Sequence, residues 1–265
     1  MFLIVAIAMR YISDIYWTRS EHQDIAKKYL SLTRAQKWTY ASYLNSCIYS
    51  VMLVIMSLRA FASCDKPGNM FSNAYCRDNP ADLQITGNAI LVGVLTSDII
   101  IQMFCVRDFT STSELQTYLH HFLAIIGSVG GIYVGGTIGT ISNFILITEM
   151  TTPLANIRWL LHLHDLTHLK VYLLCAVGMT VGFLVVRVIL MIYLAFYYFV
   201  PAIAHRDHFS DTARLYQVVM WLLFTLHLGL LVLNCLWFSK MIIGVSKFLE
   251  STKSNPAPKE TPGKA

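Results

Sequence analysis

His120 and His121 stand side by side at one end of an apolar run, TYLHHFLAIIGSVGG. A neutral imidazole in such a place is suited to act as a general base or as a nucleophile toward an acyl group. Neighbouring side chains on a helix point about 100° apart, so the two rings cannot aim at one spot from one straight helix. One can do chemistry while the other orients or packs. Glu149, in ITEMTTPLANIRW, is the carboxylate expected to fix the tautomer and steady the cation, with Arg158 and Lys240 as candidate anion contacts. The plainer alternative is a pair of buried histidines hydrogen-bonded across helices.

A second cluster, HLHDLTH, brings His162, His164, Asp165 and His168 together in sequence. His164 and His168 have the four-residue spacing that suits one metal ion. The cluster stands alone, however, and His205 and His208 fall on the opposite side of the topology derived below. It therefore reads as a solvated or interfacial connector, and neither a metal site nor a required cofactor is expected.

The elements that position these residues must be membrane helices. Hydrophobic residues make up 55% of the 265 and charged ones 13%, against roughly 25% charged in a soluble globular chain. A helix needs about 20 mostly apolar residues to cross a bilayer. Six stretches qualify: Thr39 to Phe61, Leu83 to Val106, Leu115 to Gly136, Ile138 to Leu161, Val171 to Val200 and Leu215 to Val245. The opening segment is a weaker seventh because it carries Arg10 and Asp14, and it lacks the cleavage site of a removed signal peptide.

The predicted fold class is all-α, a polytopic membrane helical bundle. Its divisions are an N-terminal helix and basic loop (1–37), a membrane domain (38–248) and a disordered tail (249–265). No nucleotide-binding glycine loop occurs, nor a basic patch interleaved with aromatics, so nucleic acid is excluded as a partner. Lysines and arginines concentrate in the loop holding Arg19, Lys27, Lys28, Arg34 and Lys37, in the tail and in alternate loops, which predicts a cytosolic C-terminus. Cys64 and Cys76 then share an oxidising lumenal loop and are a candidate disulfide. The remaining four cysteines read as small apolar filler.

Ionisable and amide groups at membrane depth face a protein interior or a hydrated cavity. Asp98, Asn143, Asn156, Arg158, Arg187, His227, Asn234 and Lys240 are the candidate lipid- or substrate-binding residues. Asp98 and Gln102 share a helix face, as do His227 and Asn234. The competing expectation is mutual satisfaction as buried ion pairs, with Asp98 or Glu149 meeting Arg187. Gly127, Gly131, Gly135 and Gly139 recur every four residues, a pattern that allows close helix packing or leaves room for an acyl chain. Pro153 is expected to kink its helix.

Three pieces in order, LQTYLHHFLAIIGSVGGIY, ISNFILITEMTTPLANIRWLL and LNCLWFSKMIIGV, resemble the TLC-domain membrane proteins from about Trp38 to Gly244. The resemblance implies a barrel-like bundle of six helices around a lipid-accessible cavity, with a further N-terminal helix, in the endoplasmic reticulum or another endomembrane. His120 and His121 match the histidine pair that ceramide synthases use in acyl transfer from acyl-CoA. The later His-Asp of those enzymes is absent here. Glu149, Thr151, Thr152, Pro153, Asn156, Arg158 and Trp159 instead look like an element of the small non-synthase branch, whose members are associated with membrane lipid composition. The leading expectation is a protein that binds lipid or acyl chains and contributes to lipid homeostasis, with membrane lipids as partners. An acyltransferase with acyl-CoA as substrate is the alternative, and a trafficking scaffold or a transporter follows. Protein partners are not specified by the sequence.

Overall fold

A chain crossing hydrocarbon has to pair its backbone polar groups within itself, and this one does so with helices. The computed structural model describes residues 1–63, 75, 82–107, 112–204 and 213–254, and no strand occurs among them. In order they form α1 (Phe2–Arg19), α2 (Gln23–Leu30), α3 (Arg34–Ala62), α4 (Asp82–Ile101), α5 (Thr112–Val134), α6 (Gly136–Ile147) and α7 (Thr152–Leu163). A long rod follows, built of α8 (Lys170–Gly182), α9 (Leu190–Leu194) and α10 (Val200–Ala204) joined by π-helical turns at Phe183–Ile189 and Ala195–Phe199. The last helix is α11 (Ala213–Ser254), which continues past Leu249, the predicted start of the tail. Cys64 and Cys76 lie outside the described residues.

Among the described residues five helical segments are long and apolar enough to cross a membrane: α3, α4 with its π-helical extension, α5, the rod and α11. The chain is thus an all-α multi-pass membrane protein. The remaining predicted span, Ile138 to Leu161, is broken in two. A 3-10 turn, Thr148–Thr151, separates α6 from α7. Pro153 falls in the first turn of α7, where a missing N–H costs nothing, so the interruption lies just ahead of the proline rather than at it.

The cap on α3 shows how sequence starts a helix. Thr33 Oγ1 accepts from the Gln36 backbone N–H at 3.2 Å, and the Gln36 side chain accepts from the Thr33 N–H at 3.0 Å. This reciprocal box satisfies two otherwise orphaned donors. In α1, which is not among the long apolar helices, the charges turn toward protein. Arg10 pairs with Asp14, Asp14 accepts from the Tyr29 hydroxyl at 3.1 Å, and Lys37 Nζ lies 3.9 Å away. Phe2 meets Tyr49 edge-on at 5.1 Å and lies where a side chain at Gly93 would have to go.

The four glycines do not form one continuous ridge. Gly135 and Gly136 have positive φ, +67° and +49°, and make the turn from α5 to α6. A Cβ on Gly131 would lie 2.6 Å from Ser142 of α6, so that glycine permits helix contact. A Cβ on Gly127 would meet nothing within 4 Å, yet the cavity beside it is only about 20 Å³. Packing explains Gly131 and the turn explains Gly135, while Gly127 borders open space.

In one half of the bundle Phe61, Ile141 and Phe144 pack with Leu194, Phe199 and Leu223 in an apolar core. Buried polar groups beside it are uncharged and paired within the protein, Ser57 donating to the Asn143 carbonyl at 2.8 Å and Ser142 to Asn88 Oδ1. The charged residues Asp98, Glu149 and Arg187 gather in the other half.

Candidate functional site

Ser42, Asn45, Ser46, Tyr49 and Ser50 recur on α3 at the three- and four-residue spacing of a single helix face. That face forms one wall of a cavity of about 80 Å³. α4 supplies Ser97 and Asp98, α5 supplies both histidines, the break between α6 and α7 supplies Glu149 and Thr152, and the rod supplies Arg187. Asp98 is near the end of α4 and Ser42 near the start of α3, so the cavity lies toward the end of the bundle that carries Lys37 and Arg107.

Two charged clusters line it. In the first, the Ser42 hydroxyl donates to Asp98 Oδ1, and His121 Nδ1 lies 3.4 Å from Asp98 Oδ2. The His121 contact is close enough to pair electrostatically but is not aligned as a hydrogen bond. In the second, Glu149 Oε2 accepts from the Thr152 hydroxyl at 2.8 Å and from Ser50 at 3.2 Å, while Arg187 Nη2 lies 3.5 Å from Oε1.

Arg187 belongs to a π-helical turn, a backbone irregularity frequently found at functional sites. Its Nε donates to the Thr148 carbonyl at 3.1 Å and to Thr151 Oγ1 at 2.9 Å, and Nη2 donates to Thr152 Oγ1 at 3.2 Å. Nη1 is 3.5 Å from His120 Nε2. The 3-10 turn presents the carbonyl and hydroxyls that this buried arginine needs, so the break before Pro153 and the cation explain each other. A buried charge without such partners would be costly.

The two histidines therefore line one cavity but face opposite partners, His121 toward Asp98 and His120 toward Arg187. The Trp237 ring lies 5.1 Å from that of His120. Glu149, expected to partner a histidine, is engaged instead by Arg187, which matches the expected buried ion pair.

The other candidates are spread through the bundle. Lys240 Nζ donates to Gln116 Oε1 at 2.9 Å, beside the bond from Trp237 Nε1 to the same oxygen at 3.2 Å. Arg158 lies over the Tyr172 ring at 5.2 Å. Asn156 donates to the Tyr43 carbonyl at 3.2 Å, and Asn143 to the Ser57 carbonyl at 3.3 Å, each joining two helices. His227 Nε2 donates to the Met191 carbonyl at 2.9 Å, and Asn234 is buried on the same helix. None of these six lines the cavity. The polar lining residues missed by sequence reasoning are Ser42, Ser46, Tyr49, Ser50 and Ser97; the signal for the serines of α3 is a hydroxyl every four positions in a span, on the face of Asn45.

The HLHDLTH segment joins the N-terminal helices. His164 packs 5.3 Å from Trp17 and 5.8 Å from Tyr40, and Lys28 Nζ lies 2.7 Å from Asp165 Oδ2. Burial, and then the Lys28 charge, push the His164 imidazole below its ordinary value. The hydrogen bond from Lys28, and then its charge, lower the Asp165 carboxyl. Among the described residues no three metal-ligating side chains come together.

A protein-family model described as a TLC domain matches residues 39–243, which contain every residue lining the cavity. No match to the chain was found among curated proteins or among solved structures.

Proposed function

The chain belongs to the TLC-domain family, and on that premise we propose that it holds a membrane lipid by its headgroup in the cavity between α3, α4, α5 and the rod. It thereby contributes to the lipid composition of the endoplasmic reticulum or another endomembrane, with its C-terminus cytosolic. The observation that carries this reading is a hydroxyl- and carboxylate-lined cavity between helices long and apolar enough to span a membrane. Polar groups there are costly unless they meet protein, water or ligand. The protein purified in mild detergent is expected to retain lipid above the level of an unrelated multi-pass protein. Retention no higher than that control refutes the reading.

The Asp98 and His121 contact favours a second reading, acyl transfer from acyl-CoA. A carboxylate beside Nδ1 favours the Nδ1–H tautomer and leaves Nε2 as base or acyl acceptor. Exposure to a long-chain acyl-CoA followed by intact-mass measurement tests it. An acyl adduct lost in His121→Ala supports transfer through that ring; an adduct that survives this substitution refutes it.

A further inference from the structure

Resting on the lipid-binding reading, we infer that the cavity takes an uncharged, hydroxyl-bearing headgroup of the kind carried by a monoacylglycerol, and not a phosphate-bearing one. Three features of the lining lead to this.

The first is charge. Phosphate recognition relies on charge-assisted donors left free to meet the anion. Among the described residues Arg187 is the one Lys or Arg in the lining, and its charge is already paired with Glu149 at 3.5 Å while Nε and Nη2 donate to the Thr148–Thr152 segment. If His121 took up a proton, Asp98 would stand 3.4 Å away to neutralise it. Lys240 is turned to Gln116 outside the lining. A phosphate would enter beside two carboxylates with no unpaired cation to receive it.

The second is a pair of unsatisfied buried groups of opposite kind. Asn45 is 5% exposed, and its Oδ1, an acceptor, has no hydrogen-bond partner among the described residues. His120 Nδ1 is likewise buried without one, and because Nε2 faces the Arg187 donor it is the nitrogen that carries the neutral ring's proton. Unpaired buried polar groups are expensive, and a hydroxyl, which both donates and accepts, can satisfy either kind. The serine hydroxyls of α3 can donate or accept, so they complement a ligand hydroxyl in either direction.

The third is size. A cavity of about 80 Å³ is on the scale of a small headgroup and not of a whole lipid. A short polyol end suits that space, and the acyl chain must remain outside among the lipid-facing side chains.

The test is a native mass spectrometry titration of the full chain in mild detergent with 1-oleoylglycerol, oleoyl lysophosphatidate and oleylamine, which share one chain length and differ in headgroup. Wild type is compared with Ser46→Leu, which fills the cavity, and with Asn45→Leu, which removes the unpaired oxygen. Ser46→Leu carries the comparison if Asn45→Leu does not fold. The expected result is 1-oleoylglycerol binding that weakens about tenfold or more in the variants, roughly the effect of one buried hydrogen bond. Lysophosphatidate and oleylamine should neither bind comparably nor displace it. Preferential binding of lysophosphatidate or oleylamine, lost in Ser46→Leu, overturns the headgroup assignment and leaves the lipid-binding reading standing. Equal binding of 1-oleoylglycerol by wild type and Ser46→Leu overturns the assignment of this cavity. If wild type binds none of the probes and carries no co-purified lipid, both readings fall together.

Discussion

The two halves of this bundle solve helix packing in opposite ways. Where the end of α3 packs on the last turn of α6, Phe61 and Phe144 meet at 4.4 Å and Tyr198 closes on Phe144 at 5.7 Å, with no charge in the cluster. In the first half of α3, that helix meets the end of α4 and the 3-10 turn through Ser42 to Asp98 and Ser50 to Glu149, and a cavity is left between them. Small side chains serve both halves. Gly130 and Gly131 admit Leu223 and Ser142 in the apolar half, whereas Ser42 and Ser50 in the charged half admit Asp98 and Glu149 and bond to them. The contrast teaches that the apolar half provides the fold and the polar half is built at some expense to it.

Substitutions can separate these roles. Arg187→Met should be among the most damaging changes, since removing one partner of a buried ion pair costs about 3–5 kcal/mol. Thermal melting in detergent should show a large drop, and adding Glu149→Leu should recover much of it. A double variant no more stable than the single one would mean that the pair is not the reason for the loss. Phe144→Ala, about 3–5 kcal/mol by loss of core packing, should lower melting comparably while the folded fraction still retains lipid. Loss of lipid in that fraction would erase the distinction between the halves.

Smaller effects sharpen it within α5. Gly131→Val forces a side chain against Ser142, and overpacking of this kind costs about 1–3 kcal/mol. Gly127→Ala meets open space and should be neutral or stabilising by about 0.5–1 kcal/mol, the helix preference of alanine over glycine. Equal destabilisation by both would show that the glycines act as one ridge.

How much of this was legible in the sequence follows from which physics is local. Hydropathy revealed the spans, and the rarity of charge at membrane depth picked out Asp98, Glu149 and Arg187. The adjacent histidines were visible, but their partners were not, because Asp98 and Glu149 differ only in where α4 and the 3-10 turn dock. The serines of α3 passed as ordinary small residues of a membrane helix until Asp98 and Glu149 were seen against them. Pro153 marked an interruption, while its position at Thr148–Thr151 depended on the distant Arg187. Asn143, Asn156 and His227 are polar at depth as expected, yet bond to backbone carbonyls away from the cavity.

The smallest effect concerns the end of the molecule beyond the cavity. With His164 held below the ordinary imidazole value of about 6.5, the unfolded chain binds the proton first as pH falls. The contribution of its packing on Trp17 is therefore present above about pH 6.5 and declines as pH drops through the lowered value. Trp17 fluorescence should report loosening in that acidic window, and His164→Phe should remove the dependence. An unchanged profile in His164→Phe would assign the titration elsewhere.

The most direct measurement is the lipid that co-purifies with Ser46→Leu compared with wild type, quantified per folded protein. A lipid headgroup held in the polar half predicts that Ser46→Leu melts at or above the wild-type temperature while its retained lipid falls to the level of an unrelated membrane protein. Wild-type lipid content in a well-folded Ser46→Leu protein would contradict it.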